Sequence, residues 1–188
     1  MNSDDRSFNF LFSILLFFIL ISLIFYIFNL KNEQYGFYSK NHLPPILLKE
    51  INGKDFEEIS KNYTRFFIYF GYIKCTSICP ISLGVLKQLS DMIKDDKLGF
   101  FFINIDMNDS TEKIKLFSSN FDSRFHLLIG TEKNLKDTSK NYNIQFSTDL
   151  SQIHHSGHLY FFNKKKSILL LYPSNYRDVL KIKKDISD

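Results

Sequence analysis

The pattern of apolar and polar positions divides the chain into one long apolar run and a mixed remainder. From Phe8 to Leu30 no charged residue occurs, and nearly every position is Phe, Ile, Leu or Tyr. A helix over this run would be ~35 Å long, enough to cross a hydrocarbon core of ~30 Å. The run exceeds the ~7–15 apolar residues of a cleavable signal peptide, and Asn29–Glu33 has no small-residue cleavage pattern. We therefore predict an N-terminal tail and a retained, single-pass transmembrane helix in residues 1–30, with an orientation that the flanking charges do not decide.

The remainder mixes charged and apolar positions as a soluble domain does. His42-Leu43-Pro44-Pro45 favours an extended backbone, because each proline restricts both its own φ and the residue before it. Ile51–Asp55 contains Asn-Gly and predicts a tight turn. We predict a linker at residues 31–48 and one globular domain at residues 49–188.

Short aromatic and β-branched runs in this domain predict strands, and apolar residues at helical spacing predict helices between them. The order of elements predicts an α/β fold with a mixed central sheet flanked by helices. The predicted strands are Arg65–Phe70, Leu98–Asp106, His126–Ile129, His158–Phe162 and Ile168–Tyr172; the predicted helices are Pro80–Ile93, Ser110–Phe121, Thr131–Tyr142 and Asn175–Ile186.

Charge excludes one class of partner. The formal net charge of +4 comes from scattered lysines, and the run Lys164–Lys166 is typical of a solvated hairpin tip. Neither a basic stripe with interleaved aromatic residues nor a known motif for nucleic acid occurs. We predict no nucleic-acid partner.

The chain has two cysteines, Cys75 and Cys79, in a predicted loop that enters a helix at Pro80. Free backbone N–H groups and the helix dipole at that end favour thiolate over thiol. Thiolate sulfur is a soft ligand that selects Cu(I) and Zn. Two adjacent thiolates therefore suit either metal capture or disulfide exchange.

Three histidines, His154, His155 and His158, precede a predicted strand and are candidate further ligands. In an extended chain the side chains of His154 and His158 lie on one face and that of His155 on the other, unless the backbone bends at Gly157. We interpret His42 and His126 as surface or packing residues.

The segment Gly71–Pro80, GYIKCTSICP, resembles the signature of the SCO/SenC family. These are membrane-tethered, thioredoxin-like copper proteins that help to assemble the dinuclear copper centre of cytochrome c oxidase. The resemblance continues through four further segments, Phe102–Asp106, Asn120–Phe125, Gly130–Thr131 and His155–Tyr160, and covers most of residues 43–186.

The resemblance implies that Cys75 and Cys79 are thiolate ligands and His155 an imidazole ligand of copper, as Cu(I), Cu(II) or both. It implies as partners the copper-bearing subunit of cytochrome c oxidase, the membrane and a thioredoxin-like reductant, with the soluble domain on the outer, periplasmic or equivalent, face. Two features depart from the family pattern. The segment after Asp106 is shorter, and His154 stands where the family commonly has Asp, which leaves the choice between adjacent histidines open.

Two functions therefore remain from the sequence. The first is a metallochaperone, which is not an enzyme. The second is a thiol–disulfide oxidoreductase in which Cys75 attacks a disulfide and Cys79 resolves the intermediate. Such reductases usually have Cys-x-x-Cys and a facing cis-proline, whereas here the spacer has three residues and no proline lies between Pro80 and Pro173. A peroxidase of the same fold is less favoured, because no lone activated cysteine with nearby Thr and Arg is evident.

Overall fold

The computed structural model describes residues 3–30, 34–144, 147–149, 152–154 and 156–187. The chain forms two compact units, Met1–Gln34 and Tyr35–Asp188.

The first unit contains one helix, α1 (Ser3–Leu30). Its large apolar side chains from Phe12 to Tyr26 are exposed. Within the described part of the chain, no helix combines the length and the apolarity that crossing a membrane requires.

The second unit alternates strands and helices in the predicted order. Its elements are β1 (Phe37–Lys40), β2 (Lys49–Glu50), α2 (Phe56–Ser60), β3 (Arg65–Gly71), α3 (Ile78–Met92), β4 (Leu98–Asn104), α4 (Thr111–Ser118), β5 (Phe125–Ile129), α5 (Glu132–Asn141), β6 (Ser147–Asp149), β7 (Gln152–His154), β8 (Leu159–Asn163), β9 (Ile168–Tyr172) and α6 (Val179–Ser187).

Seven strands form one sheet in the order β1-β9-β8-β3-β4-β5-β2, and β6 pairs with β7 separately. β3 is parallel to β4 and antiparallel to β8, and β4 is parallel to β5, so the predicted mixed sheet is confirmed. Every residue of β4 is buried, because helices and loops cover both faces. Alternate residues of β3 enter two core clusters: Phe67 and Tyr69 join the cluster that also contains both cysteines.

The segment expected to be a linker belongs in large part to the second unit. β1 pairs antiparallel with β9, and Ile46 and Leu48 are buried in the core. The backbone N–H groups of Tyr35 and Gly36 donate to the Asp185 carboxylate at 2.9 and 2.7 Å. The short aromatic run before the prolines therefore forms an edge strand.

Two helices begin at residues other than those predicted. α3 begins at Ile78, which makes Pro80 its third residue; that position also lacks an intrahelical N–H partner, so proline is tolerated there. α6 begins only at Val179, because the Asp178 carboxylate accepts from the backbone N–H groups of Leu180 and Lys181 and so caps the helix. The sequence also did not predict β1, β2, α2, β6 or β7.

Candidate metal centre

The two cysteines lie where the central strand β3 passes into helix α3. Cys75 is in the connecting loop, as predicted, and its backbone N–H donates to the Tyr72 carbonyl oxygen at 3.2 Å. Cys79 is the second residue of α3, so the expectation that both cysteines precede the helix is corrected for this residue. Neither cysteine forms a disulfide, and both are buried.

The Cys79 sulfur lies in a close-fitting polar environment at the end of β3. A Cβ atom added at Gly71 would lie 3.1 Å from Cys79 Sγ and 2.7 Å from a ring carbon of Tyr69. Only glycine therefore allows the strand to pass this close to the sulfur. The Tyr69 hydroxyl, the Tyr72 backbone and Cys75 lie close enough to Cys79 to influence the pKa of its thiol.

Burial raises the pKa of Cys79 to about 12, although hydrogen bonds from Tyr69 and the Tyr72 backbone lower it. Burial therefore opposes the thiolate that the helix dipole favours at Cys79. Loss of hydration outweighs the helix dipole, because only 2% of this residue is exposed. Any metal that binds here must displace the proton of Cys79.

Cys75 completes a sulfur pair. Its Sγ lies 3.7 Å from the Ser77 hydroxyl oxygen, and Cys75 is close enough to Cys79 and Tyr72 to raise the pKa of each. Burial and the neighbouring Cys75 raise the pKa of Tyr72, which therefore remains a donor at neutral pH. Two adjacent sulfurs with few hard oxygen ligands around them fit a soft ion such as Cu(I).

The residues just before β8, which include His158, lie at the same end of the central strands as the cysteine loop. β8 runs antiparallel to β3 with Leu159 opposite Tyr69, so the residues before Leu159 lie beside the end of β3. Gly157, with φ of +64°, packs directly on α3: a Cβ atom there would lie 2.5 Å from Cγ1 of Ile78. This topology brings together two loops that are distant in sequence.

The individual histidines have different positions. His155, the predicted imidazole ligand, lies outside the described residues. His154 ends β7, where it is paired with Ser147, and His158 is half-buried immediately before β8.

The two histidines interpreted as non-ligands have other partners. His126 Nδ1 lies 2.7 Å from a carboxylate oxygen of Glu50, and its Nε2 lies 2.6 Å from the Tyr63 hydroxyl. His42 is exposed, with its Nδ1 3.1 Å from the Asn41 side-chain oxygen. His42 is therefore a surface residue, and His126 is packed between Glu50 and Tyr63.

The sequence interpretation did not single out Tyr69, Tyr72 or the close approach at Gly71. Two signals were present. A tyrosine in a fully buried strand needs a partner for its hydroxyl, and a glycine that ends such a strand marks a close backbone contact. Neither signal identifies a cysteine as the partner without the structure.

Comparison with known proteins identifies a matching family and related sequences. A model of the SCO1/SenC family matches residues 26–187. An SCO2-like protein of Rickettsia prowazekii is 28% identical over 106 residues, which are 55% of this chain and 52% of that protein. The chain therefore spans about half the length of the first relatives that it matches.

Solved structures extend this likeness to the fold. Apo Sco1 of Thermus thermophilus has a TM-score of 0.68 at 17% identity, covering 82% of this chain and 96% of its own. Yeast Sco1 solved with copper bound has a TM-score of 0.60 at 25% identity, covering 78% and 90%. These structures confirm the mixed, thioredoxin-like Sco fold, and the family match covers most of the chain. The chain belongs to the SCO1/SenC family.

Proposed function

We propose that this protein binds copper through Cys75, Cys79 and His155 and delivers it to, or prepares the thiols of, the dinuclear copper site of cytochrome c oxidase. The observation that carries the proposal is the pair of buried cysteines at the start of α3, against which Gly157 of the histidine loop packs. Relatives solved with copper bound support the choice of metal. Another relative is described as a member of the Sco family of cytochrome c oxidase assembly proteins, which supports the choice of partner.

The residues around the site have separate roles in this proposal. Cys75 and Cys79 provide two thiolates after losing their protons, and His155 closes the site with an imidazole nitrogen. The hydroxyl groups of Tyr69 and Tyr72 lie near the sulfurs of Cys79 and Cys75 and stabilise negative charge on them once their protons are lost. Transfer proceeds by exchange of these ligands for those of the acceptor subunit. A thioredoxin-like reductant keeps the cysteines reduced, because only reduced cysteines load metal.

The test is a Cu(I) titration of the full-length chain between pH 6 and pH 8. We expect one copper ion per chain. Because burial keeps the Cys79 thiol protonated throughout this range, copper competes with a proton, and apparent affinity should rise by about tenfold per pH unit for each proton displaced. The measurement is competition with a chromophoric Cu(I) chelator, corrected for the chelator's own protonation.

Affinity that is independent of pH would contradict the protonated resting state of Cys79. More than one bound copper, or none, would contradict the proposed ligand set. The same titration with Zn²⁺ is the control for metal selectivity.

The oxidoreductase alternative is less well supported by the environment of Cys79. Thiol exchange needs a thiolate as the nucleophile, and the resolving cysteine in that scheme is Cys79. Its raised pKa leaves almost no thiolate at neutral pH. Copper binding offsets the free-energy cost of deprotonating Cys79, because two metal–sulfur bonds form. A resolving thiol in disulfide exchange has no comparable compensation.

We further propose that residues 8–30 anchor the protein in a membrane as a single span, with residues 49–188 on the outer, periplasmic or equivalent, face. This proposal rests on the sequence, which has no charged residue in that run, and on the exposed apolar side chains from Phe12 to Tyr26. The location of the domain rests on the family resemblance. An anchor would hold the copper site near a membrane-bound oxidase.

Full-length protein is expected to remain in the membrane pellet after an alkaline carbonate wash, because burial of a ~20-residue apolar helix is effectively irreversible. The measurement is immunoblotting of pellet and supernatant. A variant with Leu16→Lys and Ile21→Lys is the control and should be released. Processed protein beginning near Lys31 in the soluble fraction would contradict the anchor.

A further inference from the structure

Arg177 lies in the turn between β9 and α6 and joins three separate segments. Its Nη1 donates to the carbonyl oxygens of Tyr172, Pro173 and Tyr176 at 3.1, 2.9 and 3.2 Å. Its Nη2 donates to the Ser82 hydroxyl oxygen at 3.3 Å and to the carbonyl oxygen of Gly157. One guanidinium group thus links the turn, helix α3 and the histidine loop, to which Gly157 belongs.

The contact with Gly157 is reinforced by α3 itself. The Ser82 hydroxyl also donates to the Gly157 carbonyl oxygen at 3.5 Å, and Ser82 is fully buried. Gly157 packs against Ile78, the residue before Cys79. Ser82 is three residues after Cys79, so it lies on the same side of the helix one turn further along. The loop is therefore fixed to the helix that carries a proposed copper ligand.

We propose that Arg177 is a positioning residue that fixes the histidine loop to the cysteine helix and so presents the imidazole to the two sulfurs. The inference rests on the proposed function and adds to it a residue that does not touch copper. His155 is two residues from the fixed Gly157 carbonyl, and two residues of chain span at most ~7 Å. A short tether of this kind keeps the imidazole at high effective concentration near the sulfurs and reduces the entropy lost on binding.

The geometry suits arginine in particular. A guanidinium group has five N–H donors in a rigid fork, so it can serve carbonyls on the turn and on the loop at the same time. A lysine ammonium is a point charge on a flexible stem and cannot hold the same set of acceptors in one geometry. We therefore expect Arg177→Lys to retain only part of the effect.

The test compares Arg177→Leu in the wild-type and His155→Ala backgrounds of the full-length chain. In the wild-type background, copper affinity should fall about tenfold, the lower end of the ~10–100-fold cost of losing a residue that orients a ligand. In the His155→Ala background the same substitution should change affinity less than about twofold, because the group that it positions is absent. Ser82→Ala should give a smaller loss of the same kind, and it decides the question if Arg177→Leu does not fold.

A second measurement needs no metal. Hydrogen exchange of backbone amides in residues 152–158 of the metal-free protein should be faster in Arg177→Leu than in wild type. Arg124→Leu is the matched control. Arg124 donates to the carbonyl oxygens of Ser90 and Ile93 at the other end of α3, at 2.8 and 2.7 Å. Its substitution should lower the melting temperature without changing exchange in residues 152–158.

Three results would overturn the proposal. They are an equal loss of copper affinity in both backgrounds, unchanged copper affinity in the wild-type background, and unchanged hydrogen exchange of residues 152–158 in Arg177→Leu. Normal copper affinity in His155→Ala alone would instead refute the proposed imidazole ligand. The exchange experiment would then still decide whether Arg177 fixes the loop.

Discussion

Replacing Cys79 by Ser is expected to abolish tight Cu(I) binding. Serine presents a hard, neutral hydroxyl oxygen, for which Cu(I) has little affinity. Thiolate metal sites in small proteins are worth on the order of 10–16 kcal/mol over the whole ligand set, so losing one of three ligands should weaken binding by at least about a hundredfold. The measurement is Cu(I) competition at pH 7.5, with circular dichroism to verify folding.

Cys75→Ser should have an effect of the same size, because both sulfurs are ligands in the proposed site. Ser77→Ala is the matched control: its hydroxyl lies 3.7 Å from Cys75 Sγ but is not a proposed ligand, so affinity should change little. Retained tight binding in both cysteine variants would exclude the sulfur site. If those variants instead abolished an insulin-reducing activity that the wild type possesses, the oxidoreductase function would be the better account of the pair.

The central part of the fold was predictable from the sequence because its strands consist of buried side chains. Strand β3 consists of bulky apolar residues almost throughout, so its run identifies it without knowledge of its neighbours. Side-chain capping is also local: the Ser110 and Thr131 hydroxyls accept from the N–H groups of Lys113 and Asn134, as helix starts at these positions require. Most features set by nearby residues were therefore predicted close to their observed limits; the exception is the start of α6, where the local cap at Asp178 was missed.

Features set by distant residues were not predictable in this way. β1 forms because it pairs with β9 at one side of the sheet, and nothing within Phe37–Lys40 specifies that partner. The pKa of Cys79 depends on how completely Tyr69 and the end of β3 exclude water from its sulfur, which reverses the expectation from the helix dipole. For Arg177, the sequence indicates only a position near the start of a helix. It does not indicate the hydrogen bonds that Arg177 donates to Gly157 and Ser82.

The family resemblance contributed what local patterns could not, namely a ligand set drawn from two loops. The antiparallel pairing of β8 with β3 provides the physical basis for it, because this pairing brings residues 156–158 beside the cysteine loop. It does not choose between the adjacent residues His154 and His155. That choice needs a substitution experiment.

His155→Ala is expected to weaken copper binding by at least about tenfold, since losing a ligand should cost no less than losing a residue that merely orients one. It should also change the thiolate-to-Cu(II) charge-transfer absorption, because imidazole nitrogen contributes to the ligand field. Both effects require that the histidine loop lie close to the two sulfurs. The metal–nitrogen and metal–sulfur distances must then both be near 2.0–2.3 Å, the values for a similar borderline ion. The measurements are Cu(II) absorption spectra and Cu(I) competition on the same preparations.

His42→Ala and His126→Ala are the controls. His42 is exposed, and His126 is bonded to Glu50 and Tyr63 away from the cysteines, so neither substitution should alter the copper spectrum. His126→Ala should still lower the melting temperature, because it removes the hydrogen bonds that join the His126 ring to the Glu50 carboxylate and to the Tyr63 hydroxyl. A larger effect from His154→Ala than from His155→Ala would show that the ligand assignment is displaced by one residue. If none of His154, His155 and His158 affects copper, the histidine ligand is refuted and thiol exchange becomes the better explanation of Cys75 and Cys79.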